Sequence, residues 1–563
     1  MRRCLNGRWP LAVIMALEES TFRTKVFRGF LWLSIGTVIV QFISWISTIF
    51  VIRLLSPADY GLMAMTAGFV TLLTSISELG IGAALIQAKE LSEREIRQIF
   101  TWVLITGLIG VTVSCASAPW VARFYDTPEL ATMIRVLSCN MFLAMAYVVP
   151  QALFVREMNF KIKAQIEVFA NLAATLLTLY LALNGLGVWS LIVGQMALFG
   201  IKALAFNVAR PRWIAPLFDL RGSGRLLRFG LNETGSRLLY YVYTQSDHII
   251  VGKFLGGVVL GGYAVAKSLA VIPMEKVLPI ISQISFASYA RIQDNREQIR
   301  KHILRTVRTI AFAGVPVFLG MSAVAPLGLP LILGPKWESF IVPFQLLCLT
   351  LPLRALSPIL SPAVFAINRP TVNLINMLIA AVAMGSAFLV GVQYGVIGVC
   401  IAWLVAYPVV FGITTIINLQ VLGIPVRDYL GEIRFPFFAG AIMLVSLWLF
   451  GKMVVIPWPL YSLVLQTLLG AVVYLSLTMI FDREHSAEIR RICVDSRPVA
   501  LIRTYRSGRQ VPPRYEESRT IVYRSRPASV RVGGIFPRIS GSQLYAGEEL
   551  FFTRTGCLYR WVS

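Results

Sequence analysis

The sequence predicts an all-α integral membrane protein with about fourteen transmembrane helices, and three observations predict it. Charged residues are 14% of the chain and hydrophobic ones 56%, whereas soluble domains carry roughly 25% charge. Apolar runs of about 20 residues, the length that crosses a bilayer core, recur from Phe30 and stop at Phe481. Lysines and arginines alternate between crowded and sparse loops, as they do when spans are counted correctly. This composition excludes an ordinary cytosolic enzyme.

In chain order, residues 1–29 hold an apolar run, Leu11 to Leu17, that is too short to span. It lacks a small-residue cleavage site, so no signal peptide is expected. Spans follow at 30–52, 60–78, 100–118, 130–149, 166–183 and 188–206. After a basic stretch from Arg210 to Arg228 come 229–252, 260–286, 307–325, 341–365, 372–390 and 397–419, then 435–450 and 459–481. The tail, 482–563, has fifteen Arg, no Lys, eight acids and no sustained apolar period. It reads as a largely disordered segment.

The net charge of +24 raises the question of nucleic-acid binding, and its placement answers it. The amino-terminal segment carries six basic residues, and the loops on the same side add nineteen, among them Lys89, Arg97, Lys161, Arg221, Lys301 and Arg434. The opposite side holds only Arg53, Arg123, Lys253, Lys336 and Lys452. The basic side is cytoplasmic by the positive-inside rule, so both termini are expected in the cytoplasm. Topology and tail absorb most of the charge, and no nucleic-acid partner is expected.

Two internal echoes point to repeated halves. Arg53-Leu54-Leu55-Ser56-Pro57-Ala58-Asp59-Tyr60-Gly61 after the first span matches Lys253 to Gly256 and Gly261-Gly262-Tyr263 after the seventh. Gly185-Leu186-Gly187-Val188 before the sixth span matches Gly395 to Val399 before the twelfth. Both echoes are six spans apart on one side of the membrane, which makes the repeat parallel.

Several chemistries are missing. There is no phosphate-binding loop ending in Gly-Lys-Ser/Thr, no Asp-x-Asp pair and no nucleophile elbow. Seven cysteines without a CxxC, and three histidines far apart (His248, His302, His485), support neither a disulfide frame nor a metal site. The sparse-side acids Asp59, Asp126, Glu129 and Glu338 read as ordinary solvated loop residues. No enzyme activity, cofactor or metal is expected.

The stretches RLLSPADYGLMAM (53–65), ELGIGAALIQ (78–87), RFYDTPEL (123–130), ALFVREMNFK (152–161), SDHIIVGKFLG (246–256), GGYAVAKSL (261–269) and LILGPKW (331–337) together resemble the Wzx-type polysaccharide flippases. More narrowly, they resemble the colanic-acid and exopolysaccharide exporter branch of the multidrug/oligosaccharidyl-lipid/polysaccharide exporter superfamily. One departure is Phe286-Ala287-Ser288-Tyr289-Ala290-Arg291, where relatives commonly carry Phe-Pro and a local kink. The resemblance implies two six-helix lobes related by a pseudo-twofold axis along the membrane normal, with two extra helices. That divides the chain into a cytoplasmic segment 1–29, an N-lobe 30–206, a cytoplasmic linker 207–228, a C-lobe 229–422, a helix pair 423–481 and the cytoplasmic tail 482–563. It further implies a transporter of the bacterial inner membrane that flips an undecaprenyl-pyrophosphate-linked oligosaccharide by alternating access, for exopolysaccharide or lipopolysaccharide biosynthesis. Membrane lipids are implied as partners, and so are a polysaccharide polymerase and chain-length machinery. The competing readings are a drug or small-molecule antiporter of the same superfamily and a membrane polymerase.

Charge inside the spans marks the candidate site, since ionisable residues in a membrane are costly and usually functional. The in-span cations are Arg135, Lys202, Arg237, Lys267, Lys276, Arg308 and Arg354. Lys202 and Arg308 lie near the cytoplasmic ends and read as snorkelling. Arg237 and Lys267 flank the second echo loop and are the candidate substrate-binding cations for a pyrophosphate. Span seven carries a polar stripe, Glu233, Ser236, Tyr240, Tyr243, Thr244 and Asp247, because steps near 100° per residue return these positions to one face. Glu233 precedes Arg237 by four, the favourable order for a helical ion pair, and the two could simply neutralise each other. Asp247 has no in-helix partner at that spacing. It is either solvated near the outer interface or, with Glu233, a candidate ion-coupling residue.

Overall fold

The computed structural model describes residues 43–77, 92–157, 159–209, 215–219, 224–291, 296–367, 369–454 and 456–481, with the side chains of 160, 224–234, 236–237, 276–291, 366 and 370 outside that set. The expected segments 1–29 and 482–563, and most of the linker 207–228, lie outside the described residues. Everything below concerns the first of two units, residues 1–490.

The described elements are helices. The first half of the chain gives α1 (Ile43–Leu54), α2 (Pro57–Ser77), α3 (Glu93–Phe124), α4 (Glu129–Arg156), α5 (Phe160–Leu183) and α6 (Val188–Ala209). Next come α7 (Gly224–Arg291), α8 (Arg296–Leu333), α9 (Ile341–Leu356), a short α10 (Ser361–Ala366), α11 (Pro370–Gly391) and α12 (Gly395–Leu422). The pair α13 (Val426–Met453) and α14 (Pro459–Phe481) ends the described chain. Among the described residues eleven stretches are long and apolar enough to cross a membrane, and the protein is multi-pass. Two of them, Leu238–Glu275 and Thr371–Leu422, each contain a hairpin. Asp247 meets Tyr263 and Thr244 meets Lys267, while Asn376 meets Asn418 and Phe388 meets Trp403. Pairs whose numbers converge on one loop are the mark of antiparallel neighbours. The expected total of fourteen is a number the described residues do not close, since α1 begins outside them.

Glycine makes both hairpins. Gly256 at φ 82° and ψ 173° breaks α7 into two helices, and Gly395 at φ 74° opens α12; both are conformations that side chains with a Cβ avoid. Proline, by contrast, stays inside helices at Pro119, Pro150, Pro316, Pro408 and Pro436, which packed membrane bundles tolerate. The backbone from Phe286 to Arg291 is helical. Several helices also outrun their apolar cores. α3 extends the run 100–118 to Glu93, where Ser92 and Glu95 form a reciprocal capping box, because hydrogen bonding continues after hydrophobicity ends.

The two echo loops meet. A Cβ at Gly61 would sit 1.8 Å from the Gly257 carbonyl oxygen, and one at Gly261 would sit 1.8 Å from that of Pro57. Backbone therefore packs on backbone between α2 and α7. Around this contact, Arg53 donates to the carbonyls of Ile332 at 2.6 Å and of Leu331, at the end of α8. Lys336 donates to the carbonyls of Arg53 and Leu55, at the end of α1. Each half thus caps a helix end belonging to the other. Trp337 packs edge-on against Tyr60 at 5.8 Å, and Lys253 reaches Asp126 at 2.9 Å.

Two sequence expectations are corrected here. Asp59 is no free loop acid: it accepts from the Ser56 amide and hydroxyl at 2.9 and 2.6 Å and from the Val188 amide at 3.0 Å, capping α2 and holding the start of α6. Arg308 does not snorkel to a headgroup, because Glu432 on α13 lies 3.2 Å away. That pair, with Arg300–Asp428 and the Tyr474 hydroxyl on the Phe312 carbonyl at 3.0 Å, fastens the last two helices to α8.

Candidate functional site

The site grows from one turn of α7. Asp247 is fully buried, and its Oδ2 accepts from the Lys267 ammonium at 2.6 Å, the Tyr263 hydroxyl at 2.6 Å and the Trp403 indole at 3.2 Å. The indole also lies 3.0 Å from the Tyr263 hydroxyl, and Lys267 gives a further bond to the Thr244 carbonyl at 3.0 Å. Residues 247 and 267 stand at one depth because both are ten positions from the hairpin centre at Gly257. A buried charge holds its place only when paired and hydrogen-bonded, and here both charges are.

Trp403 on α12 joins this cluster to a second one. The Arg354 guanidinium from α9 lies 4.4 Å from the indole ring centre, and Phe388 and Tyr407 flank the ring at 5.1 and 5.7 Å. A cation over an indole face is held by the ring's quadrupole. Beside it opens a chamber of about 410 Å³ walled by Tyr240, Tyr243, Arg354, Asn373, Asn376, Tyr407 and Asn418, with Glu275 on its lining as well. Asn376 donates to Asn418 at 2.8 Å, and Ser361 donates to Asn373 at 3.1 Å. The chamber lies among α7, α9, α11 and α12, its polar side chains set into a largely apolar lining.

The structure thus brings Asp247 and Lys267 together, although the sequence suggested an ion-coupling role for one and a substrate role for the other. It removes the reading of Asp247 as an acid solvated at the interface, since the side chain has no exposed surface. The side chains of Glu233 and Arg237 lie outside the described residues. Sequence reasoning missed Tyr263, Trp403 and the three asparagines as site residues. The usable signal was the glycine hairpin: once Gly256–Gly257 is taken as the turn, Lys267 is the position facing Asp247.

Comparisons with known proteins agree with this architecture. The chain is similar to the lipopolysaccharide biosynthesis protein WzxC of Escherichia coli (strain K12), 26% identical over 428 residues that make 74% of this chain and 86% of the relative. In fold it is similar to the lipid II flippase MurJ in an inward closed conformation, with a TM-score of 0.65 at 15% identity over 80% of this chain and 99% of the other. An inward-facing multidrug resistance MATE family transporter of the MOP superfamily follows at a TM-score of 0.53 and 15% identity, over 74% of this chain and 96% of that one. The model of one family, described as Polysaccharide biosynthesis protein, matches residues 50–342. That is more than half of the length, and it takes in both echo loops and the Asp247–Lys267 pair: the chain belongs to the Polysaccharide biosynthesis protein family.

Proposed function

We propose that this protein is a flippase of the bacterial inner membrane that carries an undecaprenyl-pyrophosphate-linked oligosaccharide from the cytoplasmic to the outer leaflet, for exopolysaccharide or lipopolysaccharide assembly. One observation carries the reading: apolar membrane helices enclose a chamber bearing Arg354 and three asparagines, and polar groups within a membrane mark a transport pathway. The family, and the likeness to WzxC, support the substrate class.

The asymmetry of basic residues supports cytoplasmic termini and puts the Arg53 end of the bundle outside. The lobes then meet at the outer side, and a substrate enters from the cytoplasm. In this reading Asp247 couples transport to an ion, with Lys267 as its resident counter-ion. While that pair stands, Lys267 is not a free cation for the pyrophosphate. Arg354 is the half-buried cation that lines the chamber, and Arg237 and Glu233 keep their proposed substrate and coupling roles. No catalytic step is part of the proposal. A polymerase and chain-length machinery act on what is delivered.

The test is deletion of the gene followed by complementation. Lipid-linked oligosaccharide is expected to accumulate on the cytoplasmic side and to clear when the intact gene returns. A deletion strain that exports normally but becomes sensitive to drugs would favour the antiporter. Chain extension by the purified protein would favour the polymerase.

A further inference from the structure

The first turns of α3 do something that membrane crossing does not require: they grip a piece of the chain that joins the two halves. Arg97 Nε donates to the Ala215 carbonyl at 3.0 Å, and Gln98 Nε2 donates to the Asp219 carbonyl at 2.7 Å. The Thr101 hydroxyl oxygen accepts from the Leu217 amide at 2.8 Å and lies 3.0 Å from the Leu217 carbonyl. Arg94 adds an ion pair with the Asp219 carboxylate at 2.6 Å.

Positions 94, 97, 98 and 101 are spaced so that they share one helix face, and among the described residues that face meets five consecutive residues, 215–219. Most of these bonds go to backbone, so α3 recognises the path of the chain more than its side chains. The Arg94–Asp219 pair is exposed on both sides and contributes little by itself. The hold lies with Gln98 and Thr101, which are 2% and 0% exposed. Buried polar groups keep their partners because losing one strands the other.

The grip changes the reach of the connection. From Ala209 at the end of α6 to Gly224 at the start of α7, a free chain could extend roughly 50 Å at 3.3–3.6 Å per residue. Held at Asp219, the same chain can carry Gly224 no more than roughly 17 Å from α3's contact. A slack linker becomes a short tether. α7 is the helix that bears Asp247 and packs on α2 through Gly61 and Gly261, so the tether acts on the element that links the halves.

We propose that residues 215–219 are a strap carried by the first half through the whole transport cycle, and that the strap limits how far the start of α7 swings away from α3. The inference goes beyond the flippase reading, since it holds for any cargo.

The experiment uses the full-length purified protein, with every native cysteine except the buried Cys348 and Cys400 replaced by serine. Spin labels are placed through Glu93→Cys on α3 and Gly235→Cys on α7, where a side chain meets nothing, and their separation is read by pulsed electron paramagnetic resonance. Thr101→Val combined with Gln98→Leu is expected to move the upper edge of the distance distribution outward by about 10 Å, within the roughly 30 Å of chain that release adds. A second, separate variant joins the strap to α3 covalently: Thr101→Cys with Leu217→Cys is expected to cross-link on oxidation and still to complement a deletion strain fully. An unchanged distance distribution in the loosened variant would overturn the proposal, as would failure of the cysteine pair to cross-link. So would export that stops on oxidation and returns with reductant, because the strap would then have to leave α3 during transport. The distances are scored without substrate, so a negative result there removes the strap as a limit and leaves the flippase reading intact.

Discussion

Asp247 and Lys267 show how costly a single side chain can be inside this bundle. The pair is buried from both sides, with Lys267 only 9% exposed, so removing one partner strands the other charge in a medium that cannot solvate it. Breaking such a pair typically costs about 3–5 kcal/mol, whereas replacing both partners with neutral residues can be nearly neutral. Asp247→Ala is therefore expected to lower thermal stability of the purified protein steeply. Asp247→Asn combined with Lys267→Met should recover most of that loss while export stays impaired. Equal instability in the single and double variants would show that the contacts to Tyr263 and Trp403, rather than charge pairing, dominate at this position.

At the scale of elements, glycine governs how closely α2 and α7 approach. Gly61 and Gly261 face carbonyl oxygens at 1.8 Å from where a Cβ would stand, and backbone cannot yield as a flexible side chain can. Gly61→Ala or Gly261→Ala must push the two helices apart along the seam described above. A cysteine placed at Gln245, which lines a cavity of about 310 Å³ between these helices, should then react faster with a membrane-impermeant thiol reagent added to intact cells. An unchanged rate would mean that the seam is held by the polar contacts around it. The matching effect at Gly256 would come from φ 82° rather than from crowding, since nothing lies near its missing Cβ.

For the molecule as a whole, the sequence made the helical class legible because a bilayer dictates span length, and the parallel echoes marked the loops that meet. Helix ends were not legible: α3, α8 and α13 run beyond their apolar cores on capping and ion pairs such as Arg308–Glu432. Within the site, Asp247 and Lys267 stood out singly because charge is rare in spans. Arg354 stood out in the same way, but Asn373, Asn376 and Asn418 did not, since they come from two helices and each alone looks like a packing residue. Only tertiary structure assembles them. The proposed sidedness rests on the basic loops, and it predicts that a cysteine at Arg221 stays unlabelled from outside intact cells and becomes labelled once the membrane is permeabilised. Labelling in intact cells would invert the proposed orientation.

The exchanged caps of Arg53 and Lys336 carry a consequence for the medium as well as for the protein. Neither half can satisfy its own helix end, since the carbonyls of Leu331 and Ile332 depend on Arg53, and those of Arg53 and Leu55 on Lys336. When the halves part, two cations and these carbonyls need new partners, and water is what the interface offers. Opening at that end is then a hydration event that takes up solvent. Solutes excluded from protein surfaces favour compact, less hydrated states, so an osmotic load on the Arg53 side should hold the two halves together.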